Sequence, residues 1–479
     1  MAANLLKEFD AHKLTGKNLL SLQPNYKKKL NMTALLNRGI MAAALLCLTS
    51  VTLAQTKIIV MTDTHVMAPE LLINDGPAWQ NNVDNDRKMI DYSRLLFDLM
   101  IERLKNDIRP DWVFITGDLT KDGELVSHKY VADKLEELLQ AGIHTLIVPG
   151  NHDYGTGNAV YYDGERRRPA ERANGQLMDS LYAHFGMSSA DREPTTLTYA
   201  CEPVAGLTVI GIDSGTRGEL SATTLDWVCD KAQKAIHAGN RVIALMHHPI
   251  IPHITGIDKM TGPRTVAKDY ETIRNRLTDA GVSAIFTGHF HIGDMAKDYN
   301  ENLTDSIFDI STGSLISYPC EYREVTINKE LTEMQISTHH ITTLPDDPNF
   351  EKTSKNRLKK SIKRIVKGRT GKAKFPKNLA TNKIANFVAK AAVVHAEGNE
   401  HKSSKAKRRN ATFNRMAKVA NLLMPNNKML KRHGLTMNDI KTLVHSMLKN
   451  KTSYGIDGRE SVTDDQQLTI RLKKVGSDF

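Results

Sequence analysis

Five short apolar runs, each ending on polar residues, constrain this chain most: KIIVMT (57–62), WVFIT (112–116), HTLIVP (144–149), RVIALM (241–246) and SAIFT (283–287). Each is rich in β-branched or aromatic residues and apolar on both faces, which is the pattern of a central strand covered on both sides. Helical periods lie between them at about 93–106, 125–141, 222–238 and 266–280. Alternating buried strand and helix is βαβ logic, so these strands are expected to be parallel. Runs near 305–311, 321–327 and 332–338 follow without helices and are expected to add antiparallel strands, making mixed sheets.

The polar residues fall just past the carboxyl end of each run. They are Asp63 and His65 in DTH, Asp118 in GD, Asn151, His152 and Asp153 in GNHD, His247 and His248 in HH, and His289 and His291 in GHFH. In open α/β sheets that rim is where ligands bind. Carboxylates, an amide oxygen and imidazoles suit borderline divalent metals such as Mn, Fe or Zn. Gly117, Gly150 and Gly288 let the backbone turn tightly beside a bound ion. So many ligand types exceed one tetrahedral ion. They suit two ions sharing a bridging carboxylate, an arrangement used in phosphoryl chemistry, where the ions polarise phosphate oxygens and activate a water. Taken singly, each block has a plainer reading: a turn, a cap, or an Asx-bonded loop. Their coincidence at five strand ends is what favours the metal reading.

These blocks, in this order, resemble the calcineurin-like metallophosphoesterases over roughly residues 56–340. The resemblance implies a sandwich of two mixed β-sheets flanked by helices, with a dinuclear site at the strand ends. Carried over by motif, Asp63, His65, Asp118 and His291 would hold one ion. Asp118, Asn151, His247 and His289 would hold the other, with Asp118 bridging. His247 is preferred to His248 because it directly follows its strand. His152 would assist the leaving oxygen, and Asp153 would orient His152. Lys121 stands where the purple acid phosphatase branch has a tyrosinate ligand, so the pattern is closer to the cyclic-nucleotide and general phosphodiesterase branches. The implied activity is hydrolysis of a phosphodiester or phosphomonoester of a small molecule by a metal-bound hydroxide.

Charge divides the chain. Residues 351–479 carry 31 Lys+Arg and 9 Asp+Glu, residues 56–350 carry 27 and 43, and residues 1–55 carry 7 and 2. An acidic α/β middle (56–345) is therefore expected to be joined to a basic all-α C-terminal region (346–479), whose last 25 or so residues read as loosely ordered. Residues 1–54 read as an N-terminal extension and signal peptide, from the apolar stretch IMAAALLCLTSVTLA (40–54), with cleavage after Ala54 and translation starting at Met1 or Met32. The plainer reading of that stretch is a buried core helix. Export to the periplasm or the medium follows from the first reading.

Other features stay open at this level. Cys47, Cys201, Cys229 and Cys320 form no CxxC pair, which argues against zinc-finger or thioredoxin chemistry; one disulfide among the last three is a matter of geometry. Arg166, Arg167 and Arg168 sit in a segment (155–195) expected to be a long surface loop followed by a helix near 175–186, and are either phosphate contacts or a solvated run; His248 is a further weak candidate for substrate contact. The basic tail is either a solvated helical surface, a contact for an anionic membrane or envelope surface, or a surface docked on the acidic middle. Nucleic acid fits poorly, because the tail has little aromatic interleaving. The competing functional class is an inactive phosphoesterase fold that binds an envelope surface through its basic helices.

Overall fold

The computed structural model describes residues 55–188, 191–253, 265–372, 379–398 and 464–474. The readings of residues 1–54, and of the helical faces expected around 413–423 and 440–447, lie outside the described residues.

In chain order the strands are β1 (Thr56–Met61), β2 (Leu72–Asn74), β3 (Trp112–Thr116), β4 (His144–Val148), β5 (Val160–Asp163), β6 (Arg166–Pro169), β7 (Asp191–Arg192) and β8 (Tyr199–Val204). They continue with β9 (Leu207–Ile212), β10 (Arg241–Met246), β11 (Ala284–Thr287), β12 (Asp294–Tyr299), β13 (Ser306–Ser311), β14 (Glu321–Ile327), β15 (Glu333–His340) and β16 (Gln467–Arg471). The helices are α1 (Pro77–Asn85), α2 (Ser93–Arg103), α3 (Leu125–Gln140), α4 (Gly175–Leu181), α5 (Ala222–His237), α6 (Tyr270–Asp279), α7 (Phe350–Lys372) and α8 (Leu379–Ala396).

Alternate residues of β10 serve two different cores. Ile243 and Leu245 join a core shared with Ile59, Phe114 and Ile147 of the other sheet. Val242, Ala244 and Met246 pack against Leu225, Val228 and Ala232 of α5 and Ile273 and Leu277 of α6. A strand buried this way must be apolar at both parities, which is why these runs do not alternate.

The two main sheets are mixed, as expected. One runs β16-β15-β14-β1-β3-β4 and the other β12-β13-β11-β10-β9-β8-β7. The pairs β1–β3, β3–β4, β9–β10, β10–β11 and β11–β13 are parallel. Of the later strands, β14 adds antiparallel to β1 and β15 antiparallel to β14. The expected architecture of two sheets flanked by helices therefore holds.

Three expectations are corrected. The surface loop expected after residue 155 is instead a hairpin, β5 and β6, that pairs with β2 in a small third sheet, while the helix expected near 175–186 is present as α4. The end of the chain is not all loosely ordered, since β16 extends the first sheet beside β15. The fully buried Arg323 helps hold it there, donating to Asp465 O at 3.1 Å and to Ser311 O at 2.7 Å. No disulfide forms among Cys201, Cys229 and Cys320, which are all free thiols.

The C-terminal helix α7 lies against the segment joining α1 to α2. Arg357 donates to Asp91 Oδ1 at 2.8 Å, while Lys360 and Arg364 reach Asp84 Oδ1 at 3.2 and 3.4 Å. These cations thus meet part of the acidic middle.

Candidate metal centre at the strand ends

Five of the blocks' side chains leave their strands through left-handed backbone. Asp63, His65, Asp118, His289 and His291 have φ of 49°, 40°, 51°, 65° and 63°. Such a residue costs on the order of 1–3 kcal/mol and persists only where its surroundings fix it. Here the turn reverses the chain at each strand end and returns the side chain over the rim. Close approach then limits neighbouring positions to glycine. A Cβ on Gly150 would collide with the Asp118 carboxylate, and one on Gly288 with Thr62 Oγ1.

The side chains converge into two groups that meet at Asp118. Asp63, His65, Asp118 and His291 have ligand atoms within 4.8 Å of one another, and so do Asp118, His247 and His289. Asp118 Oδ2 lies 3.4 Å from His65 Nε2 and 3.4 Å from His247 Nε2, between the groups. Its other oxygen accepts the His152 backbone N–H at 2.8 Å. Asn151 Oδ1 faces His247 Nε2 at 3.1 Å, which puts the amide beside the second group.

Within the first group, several close contacts are poorly satisfied by protein alone. The Nε2 atoms of His65 and His291 face each other at 3.3 Å. Asp63 Oδ1 is buried without a hydrogen-bond partner, though His291 Nε2 stands 3.1 Å away. Asp63 Oδ2 is held by Thr62 Oγ1 and the His289 N–H, both at 2.9 Å. Buried polar atoms left this way call for a partner. A divalent cation among them would satisfy the imidazole lone pairs and the carboxylate together. The donor set of carboxylates, imidazoles and one amide fits Mn, Fe or Zn.

Electrostatics and tautomers agree. Burial, then the Lys88 ammonium, hold His65 down to about 3, so its ring is neutral. His247 Nδ1 lies 2.8 Å from Thr116 O, so Nε2 faces Asp118; burial lowers the ring but the Asp118 carboxylate raises it to about 9, and a cation bound there would take the place of the Nε2 proton. Burial would raise Asp63 and Asp118, but the surrounding imidazoles hold both well below the carboxylate range.

Each remaining candidate has a definite place. His248 packs its ring against His289, centroids 4.3 Å apart, and its Nδ1 lies 2.8 Å from Ser214 Oγ; it does not line the cavity. Arg166, Arg167 and Arg168 lie exposed on β6, where Arg168 pairs with Asp163 and Arg167 sits over the Tyr162 ring; they do not line the cavity at the centre.

The assignment of Asp153 as the partner of His152 is corrected. His152 Nδ1 is 2.8 Å from Asp122 Oδ1. Asp153 is fully buried and accepts backbone N–H groups of Thr120 at 3.0 Å and Gly150 at 2.8 Å, so it holds the loop. Burial and the Asp118 charge push its carboxyl up to about 7. Lys121, at the position that departs from the tyrosinate branch, turns to Asp122 at 2.5 Å and completes a chain from Lys121 through Asp122 to His152. Burial would raise Asp122, but His152 and Lys121 draw it down to about 2. The sequence signal for Asp122 was a second aspartate four residues after Asp118 in one tight loop. The cavity over the centre, about 200 Å³, is also lined by Asp86, Arg87 and Lys88, which the sequence reading passed over.

The model of the calcineurin-like phosphoesterases matches residues 56–293, the segment that carries every one of these blocks. Residues 56–293 belong to the calcineurin-like phosphoesterase family. This phosphoesterase segment is similar to a cAMP/cGMP dual specificity phosphodiesterase of Mycobacterium tuberculosis, 25% identical over 244 residues, which are 49% of this chain and 64% of that protein. A Rhodococcus erythropolis protein named "Probable cyclic nucleotide phosphodiesterase" is 24% identical over 236 residues, covering 48% of this chain and 63% of that protein. The match thus spans less than two thirds of either relative. Among solved structures, a dimetal phosphatase from Danio rerio aligns over 60% of this chain and 96% of that one, at 13% identity and a TM-score of 0.41.

Proposed function

We propose that this chain is a metal-dependent phosphoesterase that hydrolyses small-molecule phosphate esters, with phosphodiesters as the first class to test. The observation that carries the reading is Asp118 Oδ2, placed 3.4 Å from an imidazole nitrogen of each ligand group. Asp63, His65, Asp118 and His291 would hold one ion; Asp118, Asn151, His247 and His289 would hold a second. Two divalent ions bound there would neutralise phosphate oxygens and lower the pKa of a water. The preference for diesters rests on the names of the two relatives.

The chain's own residues supply the rest. Asn151 contributes an uncharged oxygen, so the centre keeps its positive charge toward an anionic ester. His152 has its Nδ1 fixed by Asp122, leaving Nε2 to give a proton to the departing oxygen. Burial lowers the basicity of His152, but Asp118 and Asp122 raise it above its ordinary value.

Export belongs to the same proposal and is supported by the apolar stretch at 40–54. So does division into 1–54, 56–345 and 346–479. Peripheral contact with an anionic envelope surface is supported only by the excess of Lys and Arg after residue 350.

The test is hydrolysis of bis-nitrophenyl phosphate, nitrophenyl phosphate and cyclic AMP by protein loaded with Mn, Fe or Zn. About two ions per chain are expected, and Asp118→Asn or Asn151→Ala should abolish turnover while the protein stays folded. Full activity after exhaustive chelation, or in Asp118→Asn, would sink the proposal. A folded wild-type chain that binds no metal would favour the inactive binding protein instead.

A further inference from the structure

Arg87 and Lys88 are cations at a centre otherwise built from ligands. Both line the cavity together with Asp118, Asn151, His152, His289 and His291, and neither side chain has an ion-pair partner among the described residues. They sit on the short turn between α1 and α2, where the Lys88 N–H donates to Asp86 Oδ1 at 3.0 Å. That bond engages one oxygen of Asp86, the carboxylate on the turn that also lines the cavity.

The turn is held from outside the family-matched segment. In α7, Ser361 Oγ donates to Asp86 O at 3.1 Å, and Arg357 Nη2 reaches Val83 O at 3.5 Å as well as Asp91. The Ser361 bond ends on a backbone carbonyl of the turn itself, and the Arg357 bond on one in the last turns of α1 just before it. On its other side, the Met89 N–H donates to Ile316 O at 2.9 Å. The exposed Asp84 contacts of Lys360 and Arg364 add little.

We infer that Arg87 and Lys88 grip the non-bridging oxygens of the substrate phosphate, and that α7 positions them by fixing the turn that carries them. The inference rests on the phosphoesterase reading for the identity of the anion. The physical reason is charge. Once cations occupy the ligand groups, Asp63 and Asp118 are engaged, and Arg87 and Lys88 face a site with surplus positive charge. An anion with several oxygens is the ligand such a site selects, and a guanidinium fork matches paired phosphate oxygens. A cavity of about 200 Å³ has room for a phosphate group beside these two cations. Arg87 and Lys88 are then substrate-binding residues, and Arg357 and Ser361 are positioning residues.

The test uses the full chain loaded with metal, with inorganic phosphate as the probe in calorimetry, alongside steady-state hydrolysis of bis-nitrophenyl phosphate. In Arg87→Met/Lys88→Met, phosphate affinity should fall at least about ten-fold and KM should rise, because charge-assisted hydrogen bonds are lost. Metal content should stay at two ions, and Arg87→Lys should recover part of the affinity. Arg357→Gln/Ser361→Ala should raise KM several-fold in the wild-type background and have no further effect once Arg87 and Lys88 are replaced. A merely structural role would leave those effects additive. Unchanged phosphate affinity in the double methionine variant with metal intact, or no phosphate binding by the metal-loaded wild type, overturns the inference. Phosphate binding that depends on Arg87 and Lys88, in a protein that hydrolyses no ester, overturns the phosphoesterase reading alone and leaves the anion grip standing.

Discussion

At the residue scale, two neighbouring aspartates carry different burdens although the sequence presents them alike. Asp122 has one oxygen on His152 and the other on Lys121. Asp122→Asn should therefore lower kcat by roughly 10²-fold, the low end for a misplaced acid–base group, with metal content and thermal stability unchanged. Asp153 instead satisfies two backbone N–H groups with its two oxygens. An asparagine there keeps only one acceptor, so Asp153→Asn should destabilise the fold by about 1–3 kcal/mol in urea melts. If Asp153→Asn left stability intact and cut kcat as Asp122→Asn does, the two assignments would be reversed. The sequence put Asp153 next to His152. Backbone turns, not adjacency, decided which carboxylate reaches the imidazole.

At the element scale, the segment after β10 is bound to two strands of its own sheet through one buried imidazole. His253 Nδ1 is 2.9 Å from Asp294 Oδ2 in β12, and Nε2 is 3.3 Å from Asp309 Oδ1 in β13. Asp309 Oδ2 also accepts the N–H groups of Ile250 and Ile251 at 2.7 and 3.0 Å. Burial alone would lower His253, but Asp309 and Asp294 outweigh it and raise the ring to about 9. Because the folded value lies above the unfolded one of about 6.5, this contribution is complete below that pH and is lost as pH rises through about 9. Unfolding free energy should therefore drop by on the order of a few kcal/mol across that window, and His253→Gln should flatten the drop. Equal pH slopes in wild type and variant would remove His253 from the account. The strands themselves were legible: β1, β3, β4, β10 and β11 lie where the apolar runs predict. The β5–β6 hairpin and β16 were not, because RRRP (166–169) carries no apolar signal and QLTIR (467–471) offers only Leu468 and Ile470 and gains its partner from the distant strand β15.

At the scale of the whole molecule, metal and fold should be linked. The centre draws ligands from five strand ends in two sheets, so ions that bind only the folded chain stabilise it by mass action, about 3–4 kcal/mol at 100 to 1,000 times the dissociation constant. Chelation should lower the melting temperature, and re-addition of Mn, Fe or Zn should restore it. A melting temperature indifferent to metal would contradict the site. The charge imbalance along the chain also acquires a partial internal answer, since Arg357, Lys360 and Arg364 of the basic region meet Asp84 and Asp91 of the acidic one.

The sequence by itself determined where the central strands lie, the rim that carries the chemistry, and the candidate ligands that converge there, because buried strands demand apolar runs and a metal demands a short menu of side chains. Only the tertiary structure decided that Asp122 rather than Asp153 orients His152, that Lys121 supports it, and that Arg87 and Lys88 face the centre. Those relations depend on left-handed turns and on packing by a helix more than 260 residues away in the chain, as in the bond from Ser361 to Asp86. No local pattern of residues encodes contacts of that range.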